Sequence, residues 1–167
     1  MSTFIEYLEG LNKGDTKVRA VLRRSLSFEP GVYPAAFPYV EPYLKDEDGA
    51  WRRKTYYLVA GLWAQHWRER LNGEQKPIGM ALADYVKASG SQSVEQRFIA
   101  LLDADEDQLS YRLRQIIALL KEQKIDFEKL LKNLLTWNNE NKWTQRNWAQ
   151  DFYRSLNKET THEETQP

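Results

Sequence analysis

The sequence predicts an all-α protein, with an N-terminal helical half that carries a proline-rich loop and a C-terminal four-helix bundle. Three observations predict it. Apolar residues recur at i, i+3 and i+4 through most of the 167 residues, the spacing of helices that turn one face to a core. Nothing alternates with period two for long, as a half-buried strand would. Glycine, proline and asparagine punctuate the chain often enough to separate seven or eight helices.

The first short helix spans Thr3 to Leu11, broken by Gly10, Asn12 and Gly14. Asp15 is placed to cap the next one, its carboxylate accepting from backbone N–H groups in the first turn. Val18, Val21 and Leu22 form the apolar side of that second helix, with Arg19 and Arg23 on one flank and Lys17 and Arg24 on another. From Phe28 to Pro42 the chain holds Pro30, Pro34, Pro38 and Pro42 together with Gly31, which no single regular helix accommodates; a packed loop is expected. The acidic "KDEDGA" and basic "WRRK" read as turns. Thr55 to about Leu71 then reads as a central helix, apolar along most of its length and stopped by Asn72 and Gly73.

"KPIGMALADYVKASG" predicts a shorter helix ending at Gly90. Ser93 and Gln96 have capping-box spacing at the start of the next, with Val94, Phe98, Leu101 and Leu102 on one face. Three more helices follow, over Gln108 to Gln123, Asp126 to Trp137, and about Thr144 to Leu156. A soft boundary near Ser89–Ser93 divides residues 1–92 from 93–158. Residues 159–167 have no apolar side chain and are expected to fray.

Composition narrows the chemistry. Cysteine is absent, which excludes disulfides, iron–sulfur clusters, thiolate zinc sites and a cysteine nucleophile. His66 and His162 are the only histidines, too few for a histidine-rich metal site. Helical di-iron sites need Glu-x-x-His motifs from each of two facing helices, and the chain offers a single such spacing, Glu159 to His162; "HEET" lacks the second histidine of a zincin. No arginine stands four to six residues before either histidine, and no glycine-rich phosphate loop is present. The acids of "KDEDGA" and "DADED" read as caps and solvated surface, and His66 as a helix residue beside Trp63 and Trp67. The expectation is a protein without catalytic residues, metal or cofactor. The N-terminus does not read as a secretory signal, and "YYLVAGLWA" is too short for a bilayer, which takes about 20 residues. A cytoplasmic protein with no membrane contact is therefore expected.

The basic residues carry the functional signal. "KVRAVLRRS" places Lys17, Arg19, Arg23 and Arg24 within eight residues, in a chain whose 24 basic and 24 acidic residues balance. Like charges at i, i+4 destabilise an isolated helix by about 0.2–0.5 kcal/mol per pair, and Arg19 and Arg23 have no acid at that spacing beside them. Further clusters occur at Arg52, Arg53 and Lys54, at Arg112 and Arg114, and at Lys142 and Arg146. Guanidinium forks held on rigid helices suit phosphate oxygens. Zero net charge fits a weak binder positioned by something else.

Five segments in order resemble one family: "AVLRRS", "YPAAFPYVEPYL", "IGMALADYVKASG", "VEQRFIALLDADEDQLSYRLRQIIALL" and "DFEKLLKNLLTWNNENKWTQRNWAQDFYR". Together they resemble CasB, the small subunit of the type I-E CRISPR Cascade complex. The resemblance implies a non-catalytic, all-helical subunit, present in two copies along the backbone subunits that carry the crRNA. It implies contacts with those subunits and with the target and displaced DNA strands during R-loop formation. It also implies basic contact residues at Arg23, Arg24, Arg97, Arg114, and Lys142 or Arg146. Where family members carry further charge, this chain has Asn138 to Asn141, "NNEN". The nucleic-acid-binding set expected from clusters and resemblance together is Lys17, Arg19, Arg23, Arg24, Arg53, Arg97, Arg112, Arg114, Lys142 and Arg146. Contacts of this kind act on the phosphate backbone and carry no sequence preference; by analogy with other guide-directed effectors, base pairing reads the sequence.

Two other readings use the same residues differently. In a helical protein-interaction adaptor, Trp51, Trp143 and Tyr39 form the docking surface and the cations only solubilise. A metal-dependent helical nuclease needs clustered acids on rigid elements, and here they fall in expected turns.

Overall fold

The computed structural model describes residues 2–165, with side chains through Lys158. The described chain contains nine α-helices: α1 Phe4–Gly14, α2 Lys17–Ser25, α3 Phe37–Val40, α4 Ala50–His66, α5 Ile78–Ser89, α6 Ser93–Leu102, α7 Glu106–Leu119, α8 Phe127–Leu135 and α9 Trp143–Thr165. The described residues form no strand; Lys76 and Ile125 make one isolated parallel bridge. The all-α expectation therefore holds. Residues 159–165, expected to fray, belong to α9; residues 166 and 167, and the side chains past Lys158 including His162, lie outside those described.

The chain divides into two units. The first takes residues up to 69 together with 127–135, so it holds α1 to α4 and α8. Its centre is α4, where every residue from Thr55 to Ala64 is buried. Phe4 on α1 meets Tyr56 on α4 edge-on, with ring centroids 4.8 Å apart. α8 lies on α4: His66 is buried and meets the Phe127 ring edge-on at 5.3 Å, and the Trp51 indole N–H donates to the Leu134 carbonyl at 2.9 Å. The apolar face of α8 thus finds its cover on a helix far upstream in the chain, which a boundary drawn at residue 92 does not anticipate.

Several element boundaries differ from those expected. α1 runs through Gly10 and Asn12 to Gly14; Asn12 is buried and accepts a side-chain bond from Arg19. The proline segment is built of the four-residue α3 flanked by 3-10 turns at Pro34–Ala36 and Glu41–Tyr43. α4 begins at Ala50, so Trp51 to Lys54 stand on the helix and not in a turn. It ends at His66, before Asn72, because Trp67 turns to an extended conformation (φ −52°, ψ 133°).

The second unit takes residues 70–126 and 136 onwards, with α5, α6, α7 and α9. α5 and α9 approach closely at Gly79, where a Cβ would lie 2.7 Å from the Trp148 carbonyl oxygen. Phe98 meets Phe152 at 4.6 Å, and Trp137 meets Trp148 at 5.1 Å. Gly90 ends α5 with φ +68°, the left-handed geometry that glycine adopts without steric cost. The capping box at Ser93 does not form. Gln92 is the cap residue and Ser93, already helical, pairs its hydroxyl with that of Ser91 at 3.2 Å. Asp105, from the acidic run "DADED", does cap α7, accepting from the Gln108 N–H at 3.0 Å.

Candidate nucleic-acid interface

The basic segment "KVRAVLRRS" is α2 in full. Its first turn is held by Asp15, whose carboxylate accepts from the Lys17 N–H at 2.9 Å. Val18 and Leu22 are buried, and Val21 is half-buried. α2 lies against α4 at Gly61, where an added Cβ would sit 2.6 Å from a Leu26 methyl carbon and 3.2 Å from the Leu22 carbonyl oxygen. Only a residue without a side chain lets the two backbones approach this far. The apolar side of α2 is therefore pinned, and its cations stand on a helix that cannot roll.

Those cations fall into two kinds. Arg19 is half-buried; its Nε–H donates to Asn12 Oδ1 at 2.8 Å and its guanidinium lies 3.8 Å from the Trp67 ring centroid. Trp67 is itself held, its indole N–H reaching Glu9 at 3.4 Å while Trp63 donates to the same carboxylate at 3.0 Å. Lys17, Arg23 and Arg24 are exposed, and among the described residues their side chains make no hydrogen bond or ion pair. A positive charge without an internal partner is available to neutralise a phosphate, which releases cations condensed on the nucleic acid with a gain in entropy.

Arg53 has a partner inside its own unit. Its guanidinium pairs with Glu41, whose other carboxylate oxygen accepts from the Tyr57 hydroxyl at 2.8 Å. Burial alone would raise the Glu41 carboxyl, but the donors from Arg53 and Tyr57 outweigh it and hold Glu41 below its ordinary range. Neighbouring Arg52 pairs with Asp48 at 2.9 Å. Arg52 and Asp48 have the i, i+4 spacing, but no pattern in the sequence marks the Arg53–Glu41 pair, because the turns of the proline segment bring those two residues together.

In the second unit, Arg97 is exposed on α6. It borders the apolar stripe but makes no ion pair among the described residues. Arg112 and Arg114 are half-buried on α7, and the buried Arg112 Nε finds no hydrogen-bond partner. Lys142 and Arg146 are exposed at the start of α9, with the Arg146 guanidinium 5.3 Å from the ring centroid of Trp143. Of the three aromatics of the adaptor reading, Trp51 is tied to Leu134, Tyr39 is half-buried and Trp143 is 52% exposed. A further exposed aromatic, Phe28, is stacked on Tyr33 at 4.9 Å with the rings 4° from parallel. Sequence pattern does not mark it, because it sits among prolines and glycine, outside any helical period.

Among the described residues no group of three histidine or acidic side chains is placed to hold a metal ion, and no helix is long and apolar enough to cross a membrane.

Comparison with known proteins supplies the remaining constraint. Residues 18–153 match the sequence model of the family described as CRISPR-associated protein Cse2. A CRISPR-associated protein Cse2 of Thermus thermophilus is 46% identical over 157 residues, covering 90% of this chain and 88% of its own. The solved structure of CasB from Thermus thermophilus shares 43% identity and a TM-score of 0.79, covering 90% of this chain and 96% of its own. CasB from M. ruber shares 36% identity and a TM-score of 0.77, over 95% and 94% of the two chains. A chain of a CRISPR RNA-guided surveillance complex shares 25% identity and a TM-score of 0.78, over 96% and 99%.

Proposed function

Because this chain belongs to the CRISPR-associated Cse2, or CasB, family, we propose that it is a non-catalytic subunit of a Cascade-type CRISPR RNA-guided surveillance complex. In that role it works in the cytoplasm beside the crRNA-bearing backbone subunits and a second copy of itself. Its exposed cations hold the phosphate backbones of target and displaced DNA, without sequence preference, while the R-loop is open.

The observation that carries this reading is the pair Arg23 and Arg24. Both guanidiniums are exposed, on a helix locked against α4, and neither has an acidic partner among the described residues. Lys17 extends the ridge by two turns. Lys142, Arg146 and Arg97 are exposed in the second unit and serve the same chemistry. Arg19, Arg53, Arg112 and Arg114 are half-buried and contribute field more than direct contact. Strand exchange in an R-loop is nearly balanced in energy, so a few such phosphate contacts are enough to favour the open form.

The test is a salt titration of single-stranded and duplex DNA binding by wild type and by Arg23→Glu/Arg24→Glu. Each phosphate neutralised contributes about −0.7 to −0.9 to the slope of log affinity against log salt. Wild type should bind with a clear negative slope, and the double variant should lose affinity and slope together. A double variant that binds like wild type removes this ridge from the interface.

A protein-docking role has separate support in the proline segment, where Phe28, Val32 and Phe37 are 47%, 58% and 37% exposed. Phe28→Ala should leave the salt slope intact and weaken incorporation into the assembled complex. Normal incorporation of that variant argues against docking there.

A further inference from the structure

Trp143 is a large apolar side chain left half in water. It is 52% exposed, and no other large hydrophobic between residues 138 and 150 is exposed. Its immediate neighbours in sequence and on the helix are polar and cationic: Asn138, Asn139, Asn141, Lys142, Arg146 and Asn147, with Glu140 as the single acid in that stretch.

The ground beneath it is rigid. Thr144 and Gln145 are buried; the Thr144 hydroxyl pairs with that of Thr136 at 2.8 Å, and Gln145 donates to the Trp137 carbonyl at 2.9 Å. The Lys142 N–H donates to the Asn139 carbonyl at 3.0 Å, and the Arg146 N–H to the Lys142 carbonyl at 3.0 Å. Lys142 is held at φ +55°, the only positive φ at a non-glycine among the described residues. Side chains with a Cβ enter that region sparingly, and such positions persist where the surrounding structure enforces them.

We propose that Trp143 is a stacking platform for an unpaired nucleobase of a single nucleic-acid strand, with Lys142 and Arg146 taking the phosphates beside that base. The inference rests on the nucleic-acid reading above and adds base contact to backbone contact. A protein hot spot is normally an aromatic ringed by other apolar groups that exclude water. Trp143 instead stands between Lys142 and Arg146 in sequence, with the Arg146 guanidinium 5.3 Å from its ring centroid, which is the composition of a single-strand groove: a π face for the base and charges for the backbone. Every base has a π face, so this contact tolerates any sequence. It discriminates against duplex, whose bases are already stacked on each other.

The experiment uses the full chain at low salt with four probes of equal length: single-stranded DNA, single-stranded RNA, single-stranded DNA with abasic sites, and duplex DNA. Wild type, Trp143→Ala, Trp143→Phe and Lys142→Ala/Arg146→Ala are compared on each. Trp143→Ala should weaken binding of intact single strands about fivefold or more, leave abasic and duplex binding unchanged, and preserve the salt slope. Trp143→Phe should keep most of the affinity. Lys142→Ala/Arg146→Ala should flatten the salt slope on every probe. A loss confined to the DNA or to the RNA probe identifies the strand and supports the platform. Equal loss on intact and abasic strands, or no loss, overturns the stacking role while the salt slope still reports the backbone reading. Absence of binding by wild type to every probe overturns both. Because Trp143 is half-exposed, unchanged circular dichroism and thermal midpoint serve as the folding control.

Discussion

The guanidinium of Arg19 lies 3.8 Å from the ring centroid of Trp67, on a segment that has just left α4. This stack, with the Arg19–Asn12 bond, ties α1, α2 and the exit of α4 to one another. Trp67 still donates its N–H to the Trp63 carbonyl at 2.9 Å with a helical φ of −52°, so its ring stays on the side of Trp63, where both indoles reach Glu9.

Arg19→Ala should therefore act on stability. A partly desolvated cation–π contact and one side-chain hydrogen bond are each worth about 1 kcal/mol. The urea midpoint should fall accordingly, with the transition still cooperative. An unchanged midpoint would mean the stack contributes nothing net.

Arg23→Ala/Arg24→Ala should do the opposite. Neither side chain makes a bond among the described residues, so the unfolding midpoint should match wild type, and any deficit should appear in nucleic-acid binding alone. A clear drop in thermal stability would show that these arginines have a structural role.

Two glycines should respond with opposite signs. A Cβ at Gly79 would meet the Trp148 carbonyl oxygen at 2.7 Å and the Phe152 nitrogen at 3.2 Å, backbone atoms that cannot step aside. Gly79→Ala should cost about 1–3 kcal/mol by forcing α5 from α9. Gly10 lies inside α1, and a Cβ added there would meet nothing within 4 Å; Gly10→Ala should gain about 0.5–1 kcal/mol from helix propensity. Denaturant titrations of both variants check the pair.

Glu41 predicts an acid limb. Burial pushes its carboxyl up, yet the Arg53 and Tyr57 donors win and its folded value lies below the ordinary 4.5. A depressed carboxyl contributes stability that is present above about the unfolded value and lost as pH falls through the lower folded one. Glu41→Gln should lower stability at neutral pH and make the decline below pH 4.5 shallower. The effect should be modest, because solvent reaches both partners of the Arg53 pair. Parallel acid limbs for wild type and variant would rule this linkage out.

The helical class, most helix positions, the buried stripes and the exposed cations on α2 are legible in the order of residues alone, because they depend on neighbours within one or two turns. Val18 and Leu22 face the core and Arg23 and Arg24 face water for reasons of helical period. Folding settles what local pattern cannot encode. It assigns α8 to α4, since an apolar helix face is satisfied by any apolar neighbour and the choice depends on the whole chain. It pairs Arg53 with Glu41 and stacks Arg19 on Trp67, 12 and 48 positions apart in sequence. It leaves Trp143 uncovered, an outcome no helical period distinguishes from burial. Whether a charge or an aromatic is left open to a partner depends on what the rest of the fold packs against it, and that is a property of the assembled core.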